Sequence, residues 1–345
     1  MQPPSFRYHL PNNEMPRSKL NYKLADELIC RHSIELSSTE LLEAPILSVC
    51  FLTYNQIDFV KKALDSVLVQ KTDFPFEIII GDDASSDGSS DIIDQYQRKH
   101  SDKIKILRST ENLGRHTGDG TLNIIRNLRA CRGKYIALLE GDDYWTDPLK
   151  LQKQVDLLEK HPEHVACFHL VESVNDTEAD FPSVYPPANL QHDIRLADLL
   201  LANCCQTCSV MFRAKLIQPY SAWMLNAAPA DWAIYLHLTQ YGTIAYIPEQ
   251  MANYRIHAGG VWSQSCQSSR DKKALEMMNS FLTRVDFSLV REQCHDIGAI
   301  LRARIKWSNG SSRINRMAYR RLFRQHALAL LRSGDRINNI KTLIT

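Results

Sequence analysis

Between residues 46 and 160, short apolar runs alternate with stretches of helical period, and every apolar run stops at a polar turn. Ile46 to Leu52 leads into Thr53, Tyr54 and Asn55, and Phe76 to Ile80 into Gly81, Asp82 and Asp83. Ile104 to Leu107 precedes the turn at Asn112, Leu113 and Gly114, and Tyr135 to Leu139 leads into Glu140, Gly141, Asp142 and Asp143. Runs of this length and β-branched content read as buried strands. Between them, Phe59, Val60, Ala63, Leu64, Val67 and Leu68 recur on one helical face. Ser89 opens a helix to about Lys99, Leu122 to Ala130 is helical, and Pro148 after Asp147 starts a helix that reaches about Lys160. Strands and helices alternating at these lengths predict an α/β, Rossmann-like, mostly parallel sheet with helices on both faces and right-handed crossovers. Ligands of such sheets bind beyond the carboxyl ends of the strands, where the polar turns collect.

The flanks are less regular. Residues 1–44 read as an arm with a short helix from Leu24 to Cys30, and residues 45–265 as the main domain. Within it, Val165 to Val171 and Thr243 to Ile247 read as strands, 175–193 as loop, Cys208 to Phe212 as a short apolar run before Arg213, and Trp232 to Leu238 as helix. Residues 266–345 read as a helical, basic C-terminal extension. From Arg302 to Lys341 that extension carries many Arg and a single acid, Asp335, with interspersed Leu and aromatics. Two readings stand side by side: an amphipathic helix in peripheral contact with anionic lipid, or helices packed on the domain with a basic outer face.

Composition excludes several classes. A net charge of +2 gives no case for nucleic-acid binding. The 9 cysteines, odd in number and irregularly spaced, suit reduced thiols better than a disulfide framework. Cys204-Cys205-x-x-Cys208 has no partner pair at zinc-finger spacing and reads as buried thiols. The polar, Pro-bearing N-terminus lacks a signal-peptide core, and no window reaches the about 18 apolar residues of a membrane span. The expected location is therefore the cytoplasm or the inner face of the cell membrane.

The acids at the strand ends carry the chemistry. Asp142 and Asp143, with Glu140 two before them, offer the oxygen ligands that Mg2+ or Mn2+ takes together with substrate phosphates. The alternative is a solvated turn or a cap before Pro148. Asp83 is suited to accept from a uracil imide N–H or a ribose hydroxyl, or else to serve a turn in which Asp87 and Ser89 also cap the next helix. Two acidic turns at strand ends of one sheet point more strongly to a ligand than either does alone.

In order, SVCFLTYNQIDFVKKALDSVLVQ, EIIIGDDASSDGS, NLG and GKYIALLEGDDYW resemble the family 2 glycosyltransferases of the GT-A fold, over roughly residues 45 to 260. The resemblance implies that Tyr54 stacks on the donor's base, with Thr53 and Asn55 in the same turn, and that Asp83 bonds to that base. It implies that Asn112 and Arg115 lie near the donor phosphates or sugar, that Asp142 contacts the ribose or sugar, and that Asp143 ligates the metal. Asp231, in PADWAIYL, resembles the family's catalytic base, although Ala230 stands where the family usually has an acid; its alternative is a helix cap. His257, in NYRIHAGGVWS, resembles the late His that meets the metal or diphosphate, and Arg255 is placed to pair with phosphate. Gly259 and Gly260 would let this segment close over the donor. Leu52 departs from the usual Pro or Thr, and Asn123 matches a common family Asn only loosely.

The activity implied is metal-dependent, inverting transfer of a sugar from a UDP-sugar to a saccharide or lipid-linked saccharide acceptor in cell-surface polysaccharide synthesis. Two other classes stay in view. A nucleotidyltransferase would open with a Gly-rich phosphate loop, and the first turn here, LTYNQ, has no glycine. A non-catalytic module that binds sugar nucleotides would not need Asp142, Asp143 and Asp231 together.

Overall fold

A computed structural model describes residues 20–37, 41, 43–175, 183–260 and, beyond them, 273, 274, 277, 278, 280 and 281. The core of the sheet is set by β2 (Leu47–Thr53), β3 (Phe76–Asp82), β4 (Ile104–Ser109) and β5 (Tyr135–Glu140), all buried or nearly so. They run parallel in the order β4-β3-β2-β5. Parallel strands need crossovers, supplied by α2 (Val60–Leu68), α3 (Ser89–Lys99) and α4 (Thr121–Ala130). Strand alternation divides the two faces. Leu47, Val49 and Phe51 join one core with α2 and with α5 (Lys150–Lys160). Cys50 joins the other with α4 and with α7 (Ala230–Leu238).

The sheet then widens beyond what alternation predicts. β9 (Met211–Arg213) inserts antiparallel between β5 and β7 (His164–Asn175), so the parallel order is interrupted there. β10 (Thr243–Ile256) pairs parallel with β7 and ends beside the short β6 (Tyr144–Trp145). The strand expected to end at Ile247 continues to Ile256 because register shifts between Ile247, Gln250 and Ala252 absorb Pro248. The segment 175–193, read as loop, contains a two-residue strand, β8 (Val184–Tyr185), paired with β7. It is followed by α6 (Leu196–Leu201).

Residues expected to precede the domain join it. α1 (Tyr22–His32) buries Ala25, Leu28 and Ile29, and β1 (Ser33–Leu36) pairs antiparallel with β4. Residues 1–19 lie outside the described set, as do the amphipathic stretch 302–341 and most of the C-terminal extension. The part of the extension that is described is helical and buries Ala274, Met277, Met278 and Phe281 in the core. The ring of Phe281 meets that of Trp223 edge-on at 5.4 Å. Among the described residues no helix is long and apolar enough to cross a membrane.

Candidate active site

At the carboxyl end of β5 the chain must pass close to β2. Gly141 permits it: a Cβ there would stand 2.5 Å from Gln56 Oε1 and 2.9 Å from Thr53 Oγ1. The acids around this glycine converge, with one oxygen each of Glu140, Asp142 and Asp143 within 4.8 Å of the others. Burial raises the Glu140 carboxyl to about 8, helped by the charges of Asp142 and Asp231. Burial likewise holds Asp143 well above the usual carboxylate range, with Asp142 and Glu140 adding to it. Asp143 Oδ1 accepts from the Arg255 amide at 2.8 Å, whereas Oδ2 is buried without a partner in hydrogen-bond geometry, the weakly donating thiol of Cys208 being the one side chain that opposes the rise. An anionic oxygen in that position calls for a cation or a proton.

The end of β10 closes over these acids. Arg255 Nε donates to the Asp142 carbonyl at 3.0 Å, and its guanidinium lies 4.6 Å from the Phe59 ring centroid and 5.6 Å from that of Tyr144. His257 Nε2 stands 3.0 Å from Asp142 Oδ2. Its Nδ1 accepts from the Gly259 amide at 3.2 Å, which places the imidazole proton on Nε2, facing Asp142. His257 thus holds an acid of the cluster, and joining a metal through Nε2 would require giving up that contact. Lys62 Nζ sits 3.5 Å from the centroid of Tyr144 and adds positive charge to the same rim.

The turns after β2 and β3 form the other half. Tyr54 is 39% exposed, so its ring is open to a ligand. Asn55 sits at φ 51° and its Oδ1 accepts from the Ser86 amide at 2.8 Å, so its side chain locks the two turns together. Gln56 and Ile57 complete the lock through Ser89 and Asp87. Thr53 is buried and its Oγ1 has no partner. Asp82 is structural, taking the Ser85 amide, the Ser90 hydroxyl and Arg108 Nε. Asp83 accepts from Ser109 Oγ and the amides of Leu113 and Gly114 at 2.9–3.2 Å, which anchors the Asn112 turn to the sheet. Asn112 caps that turn by accepting from the Arg115 amide at 3.0 Å; the Arg115 side chain is exposed.

Sequence reasoning missed Arg126. It is 4% exposed and donates to Ser109 Oγ, Asn123 Oδ1 and the Asp82 carbonyl from beneath Asp83. Burial lowers it to about 10 despite the opposing charges of Asp83 and Asp82. Asn123, Arg126 and Asn127 recur three and four apart on α4, and that polar stripe in a buried helix was the available signal. Asn123 bonds to the Gly81 carbonyl and Asn127 to that of Phe51, tying the helix to two strand ends.

Asp231 approaches from the other side, in the first turn of α7. Pro229 holds the cap position, so Asp231 is not the N-cap residue. Its Oδ2 accepts from Asn203 Nδ2 at 2.9 Å. Burial raises its carboxyl, opposed by first-turn amides and by Asn203. Its charge acts on Glu140, so the two acids share one field. Asn203 lies in an irregular segment where no sequence pattern marks it.

The sequence model described as Glycosyl transferase family 2 matches residues 48–218, which hold the turns after β2, β3, β4 and β5 and stop short of Asp231, Arg255 and His257. This region belongs to glycosyl transferase family 2. An uncharacterized protein of Mycobacterium tuberculosis strain H37Rv is 42% identical over 226 residues, which is 65% of this chain and 62% of that one. The chain therefore spans less than two thirds of the length of this relative. TuaG of Bacillus subtilis strain 168, which bears the name of a teichuronic acid biosynthesis glycosyltransferase, is 29% identical over 231 residues, 66% of this chain and 85% of its own. Among solved structures, the mannosyltransferase PcManGT of Pyrobaculum calidifontis, in complex with GDP-Man and Mn2+, superposes with a TM-score of 0.56 at 15% identity, covering 85% of this chain and 76% of that one. TarS of S. aureus in complex with UDP-GlcNAc gives 0.52 at 14% identity, over 85% and 93%. At these identities the likeness establishes the fold, which is GT-A: a mixed α/β architecture around a mostly parallel sheet.

Proposed function

We propose that this chain transfers a sugar from a nucleotide-diphosphate sugar to a saccharide or lipid-linked saccharide acceptor, in a metal-dependent reaction with inversion at the anomeric carbon. The observation that carries the reading is the Glu140, Asp142 and Asp143 cluster, in which Asp143 Oδ2 is buried without a partner in hydrogen-bond geometry. Those oxygens fit Mg2+ or Mn2+, with Asp143 and Asp142 as the residues that would hold it and His257 beside them. When bound, such an ion neutralises charge on the diphosphate leaving group.

The chain's own residues supply the rest. Tyr54 offers an open ring to the base, and Asp83 offers a remaining acceptor site to an imide N–H, which suits uracil. Arg255 and the exposed Arg115 bring positive charge toward the phosphates. Asp231 takes the proton of the acceptor hydroxyl as that oxygen attacks the anomeric carbon; burial moves its pKa toward working pH, where a general base is most effective. With Asp231 as the base the reaction is one displacement, hence a β-linked product from an α-linked donor of a D-sugar. Support for a UDP donor comes from the UDP-GlcNAc complex of TarS, for a metal from the Mn2+ of PcManGT, and for a role in cell-surface polysaccharide synthesis from the name of TuaG.

The test is transfer from a panel of nucleotide sugars by the full chain. EDTA, and separately Asp143→Asn, are expected to abolish nearly all transfer, and the NMR coupling constant of the product to report inversion. Full activity in metal-free buffer overturns the metal role, and a retained configuration overturns the single displacement. Tight donor binding without any turnover would leave a binding module.

A further inference from the structure

Outside the acidic cluster, one other group of side chains among the described residues has metal-ligand geometry. The turn from α5 into β7 reads His161-Pro162-Glu163-His164, and one ligand atom from each of His161, Glu163 and His164 lies within 4.8 Å of the others. His161 Nδ1 is 3.0 Å from Glu163 Oε1. His164 Nε2 is 3.9 Å from Glu163 Oε1 and also 3.9 Å from Asp193 Oδ2, on the segment before α6. Ligand atoms around a tetrahedral ion with bonds of about 2.0–2.1 Å stand roughly 3.3 Å apart. His161, Glu163 and His164 stand near that spacing, whereas Asp193 approaches the group at His164, and its carboxylate has to swing inward to complete the set.

The neighbours orient these groups as partners of metal ligands do. His164 Nδ1 is 2.8 Å from Thr243 Oγ1, which fixes the ring and directs Nε2 toward the acids. Asp193 Oδ1 accepts from the Tyr246 amide at 2.9 Å, leaving Oδ2 on the side of His164. Arg213 holds the turn's backbone, donating to the carbonyls of His164 at 2.9 Å and His161 at 3.2 Å. The start of β10 is pressed against the turn, since a Cβ on Gly242 would stand 2.6 Å from the Glu163 carbonyl oxygen.

We propose that His161, Glu163, His164 and Asp193 form a second metal site, which takes a transition ion of the Zn2+ class and braces the amino ends of β7 and β10 to the segment before α6. Two imidazoles and two carboxylates match Zn2+, Co2+ or Ni2+, whereas the all-oxygen cluster after β5 matches Mg2+ or Mn2+. The two sites lie near opposite ends of β10, whose 14 residues span on the order of 40 Å. The second site therefore acts on stability and not on the reacting atoms.

The test is a Co2+ titration of the chelator-treated full chain in excess Mg2+, which occupies all-oxygen sites. The expected result is one Co2+ per chain with the visible bands of a four-coordinate N/O site. Zn2+ displaces it, and the Tm rises with Zn2+ but not with further Mg2+. His164→Ala and Glu163→Gln are each expected to weaken Co2+ at least tenfold. Glu163 is 61% exposed at its side chain, so Glu163→Gln answers even if His164→Ala fails to fold. Unchanged affinity in Glu163→Gln overturns the site, as does a loss confined to Asp143→Asn. Intense near-ultraviolet charge-transfer bands would assign the ion to cysteine thiolates and also overturn it.

Discussion

Asp231 receives a hydrogen bond from Asn203 whether it serves as a base or only steadies the first turn of α7. Asp231→Asn separates the two roles, because the amide keeps an acceptor oxygen for Asn203 but cannot take a proton. The expected outcome is a fall in turnover of about 10²- to 10⁴-fold, the usual share of general-base catalysis, with the nucleotide-sugar Kd nearly unchanged. Measuring both quantities for Asp and Asn decides it: a near wild-type rate in the Asn form would remove Asp231 from the chemistry. At this scale the sequence is most informative where a carboxylate ends a strand. Asp142 and Asp143 announce themselves as acids in a turn, and the turn is where a parallel sheet presents its ligands. Asp83 is only half legible. Its position at a strand end can be read, but its three bonds to Ser109, Leu113 and Gly114 depend on a loop folding back. Asn203 is silent because its meaning lies wholly in a contact with a residue far along the chain.

Elements follow the same division between local and long-range causes. Runs such as Phe76 to Ile80 have to be strands, since they are too short and too β-branched to bury themselves otherwise. β9, by contrast, is a strand only because β5 and β7 leave a gap that its backbone fills. β10 outruns its apolar stretch because a parallel partner of similar length, β7, continues beside it. The turn from α4 into β5 offers a direct check on how tightly these elements are fitted. Gly133 donates its amide to Ser48 Oγ at 2.9 Å, and a Cβ on it would meet Ser48 N at 2.5 Å and Leu47 C at 2.6 Å. Those are backbone atoms of a fully paired central strand, so no rotamer change relieves the clash. Gly133→Ala is expected to cost about 1–3 kcal/mol, as overpacking does elsewhere. The check is the midpoint of denaturant unfolding at unchanged slope; an unshifted midpoint would mean that β5 can move away from β2.

For the whole molecule, one contribution to the pH dependence of stability comes from a lysine that has no ion pair among the described residues. Lys150 is fully buried, with Nζ 2.7 Å from Gln154 Oε1 and 4.1 Å from the centroid of the Trp145 ring. Burial lowers it from 10.5 to about 7, against the opposing effects of Cys167 and Cys208. The unfolded chain therefore binds a proton that the folded chain does not, throughout the interval between those values. Stability rises with pH wherever the unfolded state holds more protons. The cost of the buried charge is thus fully present below about pH 7 and disappears as pH climbs toward 10.5. Between pH 7 and 9.5 this one group should return on the order of 3 kcal/mol. Glu140 works in the opposite sense at lower pH, since its folded carboxyl is raised to about 8 and stability falls as pH rises from the unfolded value toward it. Comparing the wild type with Lys150→Met cancels that contribution and every other shared one. Methionine keeps most of the volume and loses the hydrogen bond to Gln154, so the two proteins can differ in either direction at one pH. The slope is what decides. The wild type is expected to gain on the variant steadily from pH 7 to 9.5, read as unfolding free energies from urea titrations at each pH. A gap that stays constant over that interval would mean that Lys150 keeps its proton in the folded protein and that its burial is relieved by some other route.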